Sequence, residues 1–154
     1  MGVRRAAMAL VVLMSLSSLP AIAAHQAEAN LDGLGPEVTA YLGFIQNEEE
    51  ELESLYTAGE VSKDDYTQTR NRLTATRIAA LRVVRQRGED LVPELHVLRA
   101  SELTQVLPEG LPGLRGKKAG DRLNDDWLYH GTVRRGDVFY VLERTTKLDR
   151  ARPF

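Results

Sequence analysis

Residues 52–73 read LESLYTAGEVSKDDYTQTRNRL, and their order predicts one helix ending, a turn, and a second helix beginning. Leu52 and Leu55 stand one helical turn apart. Gly59 follows where a left-handed residue closes a helix at little steric cost. Ser62 is a good N-cap, and Asp65 three residues on makes a capping-box variant. Tyr66 and Leu73 then resume the apolar spacing. Working backwards, Pro36 suits a first helical position, with Glu37 beside it favouring the positive end of the helix dipole. Val38, Tyr41, Leu42 and Ile45 continue the stripe. Working forwards, the second helix is expected from about Lys63 to Arg87, with Gly88 as its stop. Two long helices joined by so short a connection are antiparallel neighbours. Folding back at Gly59 and Glu60 sets Val38 against Leu81, Leu42 against Ile78, Ile45 against Leu73 or Thr74, and Leu52 against Tyr66. Apolar meets apolar at each level.

Charge follows the same register. The first helix carries Glu37, Glu48, Glu49, Glu50, Glu51 and Glu53 and no base, while the second carries Lys63, Arg70, Arg72, Arg77, Arg82, Arg85 and Arg87. Adjacent glutamates near a helix C-terminus repel one another and oppose the dipole. The fold-back brings Glu48–Glu50 towards Arg70 and Arg72, which relieves part of that repulsion. Consecutive helix residues point about 100° apart and no His is near in sequence, so the cluster reads as solvated charge and not as a metal site.

The pattern Leu52, Leu55, Gly59, Val61, Ser62, Asp65, Tyr66, Arg70, Leu73 resembles the SHOCT motif, a short helix–turn–helix unit. The resemblance covers residues 52–73. It implies that Leu52 and Leu55 pack, Val61 covers the turn, and Tyr66 and Leu73 close the stripe. Units of that family usually stand at the C-terminus, often of membrane or exported bacterial proteins, and the resemblance implies oligomerisation or partner contact. Here the helices are longer and residues 89–154 still follow.

The first 23 residues have the layout of a secretory signal. Arg4 and Arg5 precede an apolar run over residues 6–19, Pro20 breaks it, and Ala21-Ile22-Ala23 offers small residues for cleavage between Ala23 and Ala24. Fourteen helical residues rise about 21 Å, short of a roughly 30 Å hydrocarbon core, so a cleaved leader is expected in place of an anchor. The flanks of the arginine pair lack a twin-arginine continuation, favouring the general secretory route. The expectation is an exported protein, periplasmic or secreted, with no stable membrane anchor after cleavage. The chain has 20 Lys and Arg against 22 Asp and Glu, and the leader holds two of the bases and no acid. Cleavage thus moves the net charge from −2 to −4. That sign argues against a nucleic-acid binder. There is no cysteine, so no disulfide, thiolate chemistry or Cys-based zinc site is available.

Residues 24–35 are polar and read as a flexible arm, and residues 36–88 as the helical hairpin. Residues 94–144 read as a small α+β unit, giving an α+β fold class. Within it, residues 94–99 form a weakly alternating strand, and Ser101 and Glu102 start a short helix ended by Pro108. Residues 108–120 are rich in Pro, Gly and Lys. Five residues separate Gly110 from Gly116-Lys117, and Lys118 replaces the Ser or Thr of a phosphate loop, so the segment reads as a connector without nucleotide. Trp127 to Val133 and Val138 to Arg144 are expected as a β-hairpin with Gly136 at its tip. Trp127, Tyr129 and Val133 should share one face, and Val138, Tyr140 and Leu142 one face of the partner strand. Arg135-Gly136-Asp137 matches a tripeptide read by adhesion receptors, but hairpin tips select Gly and Asp for turn chemistry alone. Asp121, Asn124, Asp125 and Asp126 lack calcium-loop spacing and read as turn formers. Residues 145–154 form a charged tail.

No Ser/His/Asp arrangement and no ligand spacing among His25, His96 and His130 stands out. The expectation is a non-catalytic protein with no cofactor and no metal, which uses its hairpin to contact a protein partner or itself. Tyr41, Phe44, Leu55 and Tyr56 exceed what one partner helix covers and are the expected contact residues. A periplasmic chaperone or envelope-stress protein is the alternative. An enzyme or ligand-binding domain with its site between Trp127, Tyr129, His130 and the 108–120 loop is a third reading.

Overall fold

The computed structural model describes residues 33–145. Two helices, α1 (Pro36–Thr57) and α2 (Lys63–Arg87), precede a three-stranded antiparallel sheet. Its strands are β1 (Leu95–Arg99), β2 (Trp127–Arg135) and β3 (Asp137–Arg144), in the order β1-β3-β2. This is the expected α+β fold with a C-terminal β-hairpin. The leader, the Ala23/Ala24 junction, most of the arm and residues 146–154 lie outside the described residues.

The helix ends explain the hairpin. Gly59 has φ 77°, its N–H donates to the Tyr56 carbonyl, and the Glu60 N–H reaches back to Leu55, the paired bonds of a Schellman stop. Ser62 Oγ accepts from the Asp65 N–H at 3.1 Å and donates to its carboxylate at 2.6 Å. α2 stops at Gly88, φ 69°, whose N–H donates to Val84. The start of α1 is less local. Gly35 has no side chain to cap it, and the Asp90 carboxylate accepts from the N–H groups of Glu37 at 3.1 Å and Val38 at 3.0 Å. A Cβ on Gly35 would fall on that carboxylate. Glycine is needed here for close approach, since its φ of −74° suits any residue.

Val38 and Leu42 of α1 pack with Val84 and Leu81 of α2, with Leu34 and Val92 closing the end. Leu34, expected in the flexible arm, is therefore tied to the hairpin. At the turn, Tyr66 donates to Glu53 at 2.5 Å and stacks on Tyr56, ring centroids 4.3 Å apart. The expected charge pairing is corrected in detail. Glu49 faces Arg77 at 3.7 Å, Arg70 lies against Tyr66, and Arg72 turns away to Glu102. Arg72 and Arg77 stand about 140° apart around the helix, so they cannot both face α1.

α2 has two packed faces. Ala75 and Ala79, with Ile78 beside them, meet Val97, Val133, Phe139 and Val141 of the sheet. Alanines bring the helix close to the strands, so hairpin and sheet share one core. The opposite face of the sheet is covered by residues 100–123, which form 3-10 helices at Ala100–Gln105 and Leu111–Leu114. Leu103, Leu107 and Leu114 pack there on Trp127, Tyr129 and Leu142. The 108–120 segment is thus not a mere connector: its Leu114 joins Leu103 and Leu107 in the second layer. Its end runs beside β2, with Gly120 N–H donating to the Tyr129 carbonyl and Tyr129 N–H to Asp121.

One strand expectation is overturned. Pairing passes from Tyr129↔Leu142 to Thr132↔Tyr140, a register shift that inserts a residue into β2. Gly131, φ 88°, carries this bulge. Alternation restarts after it, so Val133 faces α2 while Trp127 and Tyr129 face the loop layer. Thr145, expected in the tail, is pinned, with N–H donating to Asp126 and Oγ1 to Asp125.

Candidate functional site

The outer face of α1 is the exposed apolar feature nearest to the expected site. Val38, Leu42, Ile45 and Leu52 are its buried residues, a single stripe against α2. Phe44 is 58% exposed, while Tyr41 and Leu55 are half-buried. Phe44 and Leu55 are three helical turns apart and point the same way, about 16 Å from each other. Tyr41 lies one turn before Phe44, and burial pushes its phenol pKa up. Tyr56 does not join this row. It is 36% exposed and belongs to the ring stack at the turn, where the Arg70 guanidinium stands 5.8 Å over the Tyr66 ring. Tyr41, Phe44 and Leu55 therefore lie along one side of α1, and Tyr56 belongs to the turn.

Two ion-pair clusters were not legible in the sequence. His130 and Glu143 lie on the α2 side of the sheet because the Gly131 bulge and the pleat of β3 both turn them there. Glu143 is 4% exposed, accepts from Arg87 Nη2 at 2.7 and 2.5 Å, and meets His130 Nε2 at 2.6 Å. Burial pushes its carboxyl pKa up, but the His130 and Arg87 hydrogen bonds outweigh that, and the net shift is downward. Both carboxylate oxygens are occupied, so the group is a lock between the end of α2 and the sheet. The second cluster joins Glu102 to Arg72 at 2.5 Å and Arg99 at 3.2 Å. Glu102 also accepts from the Arg99 N–H, and Arg99 donates to Gln68. Burial pushes the Glu102 carboxyl pKa up, but the Arg99 and Arg72 hydrogen bonds outweigh that and leave it below the ordinary range.

The remaining expectations fall as follows. His96 sits edge-on to Trp127, centroids 4.8 Å apart, and meets Glu94 at 3.0 Å. It is on the other face of the sheet from His130. Among the described residues no group of three His, Cys, Asp or Glu could hold a metal. Asn124 accepts from the N–H groups of Asp126 and Trp127, the work of a turn former. Gly136, φ 66°, is the hairpin tip and abuts the Asn71 side chain. Of the residues in the third reading, Tyr129 and the 108–120 loop line an open cleft of about 350 Å³ with Leu111, Pro112, Leu114, Arg115 and Tyr140. Trp127 is core and His130 faces away.

No family model, curated protein or solved structure matches this chain.

Proposed function

We propose that this is an exported, non-catalytic protein that uses the outer face of its helical hairpin for protein–protein contact or self-association. The observation that carries the reading is Phe44, more than half exposed on a helix covered along one stripe only. Burying such a ring, with the rest of Tyr41 and Leu55, is worth about 2 kcal/mol or more, and water offers no comparable return for leaving it out. The SHOCT-like pattern of residues 52–73 supports the same use, as does the full engagement of the Glu143 carboxylate by Arg87 and His130. The charge, apolar run and small residues of positions 4–23 support export.

A photo-crosslinking residue in place of Phe44, activated in intact cells, tests this. One dominant, saturable adduct that vanishes when Tyr41 and Leu55 are made serine is expected, and its mass tells partner from self. A smear of unrelated exported proteins would favour the chaperone alternative. Empty lanes at good expression would sink both.

A further inference from the structure

β1 lies at one edge of the sheet, and among the described residues no strand pairs with its outer side. The Arg144 N–H donates to the Glu94 carbonyl at 3.0 Å, which marks that pair as hydrogen-bonded. In an antiparallel ladder such pairs alternate. His96↔Leu142 and Leu98↔Tyr140 are therefore the bonded pairs within β1, and Leu95, Val97 and Arg99 direct their main-chain groups away from β3. Arg99 bears this out: its N–H is taken by the Glu102 carboxylate at 2.8 Å. Among the described residues nothing takes the N–H and C=O of Leu95 or of Val97, four groups in a row. α2 covers one face of β1 and the 3-10 segment the other, and α1 makes no contact with the strand. Pro93 and Arg99 bound this short edge, and no bulge interrupts it between them.

We infer that the occupant is the β1 strand of a second copy, paired antiparallel about a two-fold axis at His96. In that register Leu95 bonds Val97 of the other copy, and Val97 bonds its Leu95. All four free groups on each strand are used, four bonds in total. The ladder then ends by itself, because Pro93 has no N–H and that of Arg99 is already engaged. Side chains agree with the pairing. Leu95 meets Val97 on the α2 side, where both already contact the core. On the other side His96 meets His96, and each Glu94 lies diagonal to the His96 of the other copy, within reach of a hydrogen bond. Glu94 already holds its own His96 at 3.0 Å, so the axis carries two carboxylates alternating with two imidazoles. The product is a continuous six-stranded sheet.

Sedimentation equilibrium of the purified protein from about 10 μM to about 1 mM, spanning weak isologous contacts, tests the inference together with amide exchange followed by NMR. A dimer is expected, with the Leu95 and Val97 amides protected only as it forms. Leu95→Pro removes an outward donor and keeps the bonds to β3, and His96→Lys sets two cations face to face. Each should weaken the dimer about 10-fold or more, with the circular dichroism of the fold retained, while Phe44→Glu leaves it intact. Should Leu95→Pro not fold, His96→Lys decides alone. A monomer throughout, a dimer indifferent to both edge variants, or a dimer whose Leu95 and Val97 amides exchange freely would overturn it. A dimer lost only in Phe44→Glu would assign self-association to α1 instead.

Discussion

At the scale of single residues, the Glu143 carboxylate ties the end of α2 to the sheet. It is buried, takes two bonds from Arg87 and meets His130, so removing its charge leaves two donors facing a weaker acceptor. Glu143→Gln should destabilise the fold by about 2–4 kcal/mol, towards the lower end because the Arg87 side chain is a third exposed. Urea titration measures it. The pH dependence has a fixed sign. The folded-state pKa of Glu143 lies below its unfolded value, so its contribution is complete above the ordinary carboxyl range and is lost as pH falls through the lowered folded value. Stability should therefore decline with acid below about pH 4, and the slope should be shallower in Glu143→Gln. It does not vanish, because Glu102 is shifted the same way. None of this is visible in the sequence. His130 and Glu143 are 13 residues apart, and only a bulge at Gly131 puts them on the same side of the sheet.

At the scale of elements, local chemistry and remote chemistry can be separated at the two ends of α1. Its C-terminal stop is local: Gly59, Ser62 and Asp65 do the work that their spacing announces. Its N-terminal cap is supplied by Asp90, beyond the whole of α2. Asp90→Ala should cost about 1–2 kcal/mol. Gly35→Ala should cost a similar amount, because its methyl occupies the position of the Asp90 carboxylate. In the Asp90→Ala background the same change should be neutral or slightly stabilising, since the space is then open and alanine narrows the unfolded ensemble. A double-mutant cycle by thermal unfolding checks this; additive losses would refute the steric account. The β2 strand gives the opposite lesson. Its composition announces a strand, but a simple period of two misplaces Val133, because one glycine resets the alternation.

At the scale of the whole molecule, α2 is the shared wall. Its Ala75 and Ala79 face the sheet while Leu81 and Val84 face α1, so hairpin and sheet should not unfold separately. Phe139→Ala, at a site 1% exposed between α2 and the sheet, should cost about 3–5 kcal/mol. Helix loss by circular dichroism and Trp127 fluorescence should move together along the denaturant axis in both proteins. Separate midpoints would mean two cores.

The sequence by itself determined the helices, their ends, their antiparallel pairing and the C-terminal β-hairpin. Each of these rests on interactions within a few residues or on a periodic apolar stripe. Tertiary structure alone decided that Asp90 caps α1, that Leu107 and, in the Pro/Gly-rich loop, Leu114 roof the sheet, and that Arg72 and Arg87 leave the hairpin to bind Glu102 and Glu143. Those choices depend on which chain segments meet in space. A buried carboxylate takes whichever base the packing brings within 3 Å, and no spacing along the chain encodes that distance.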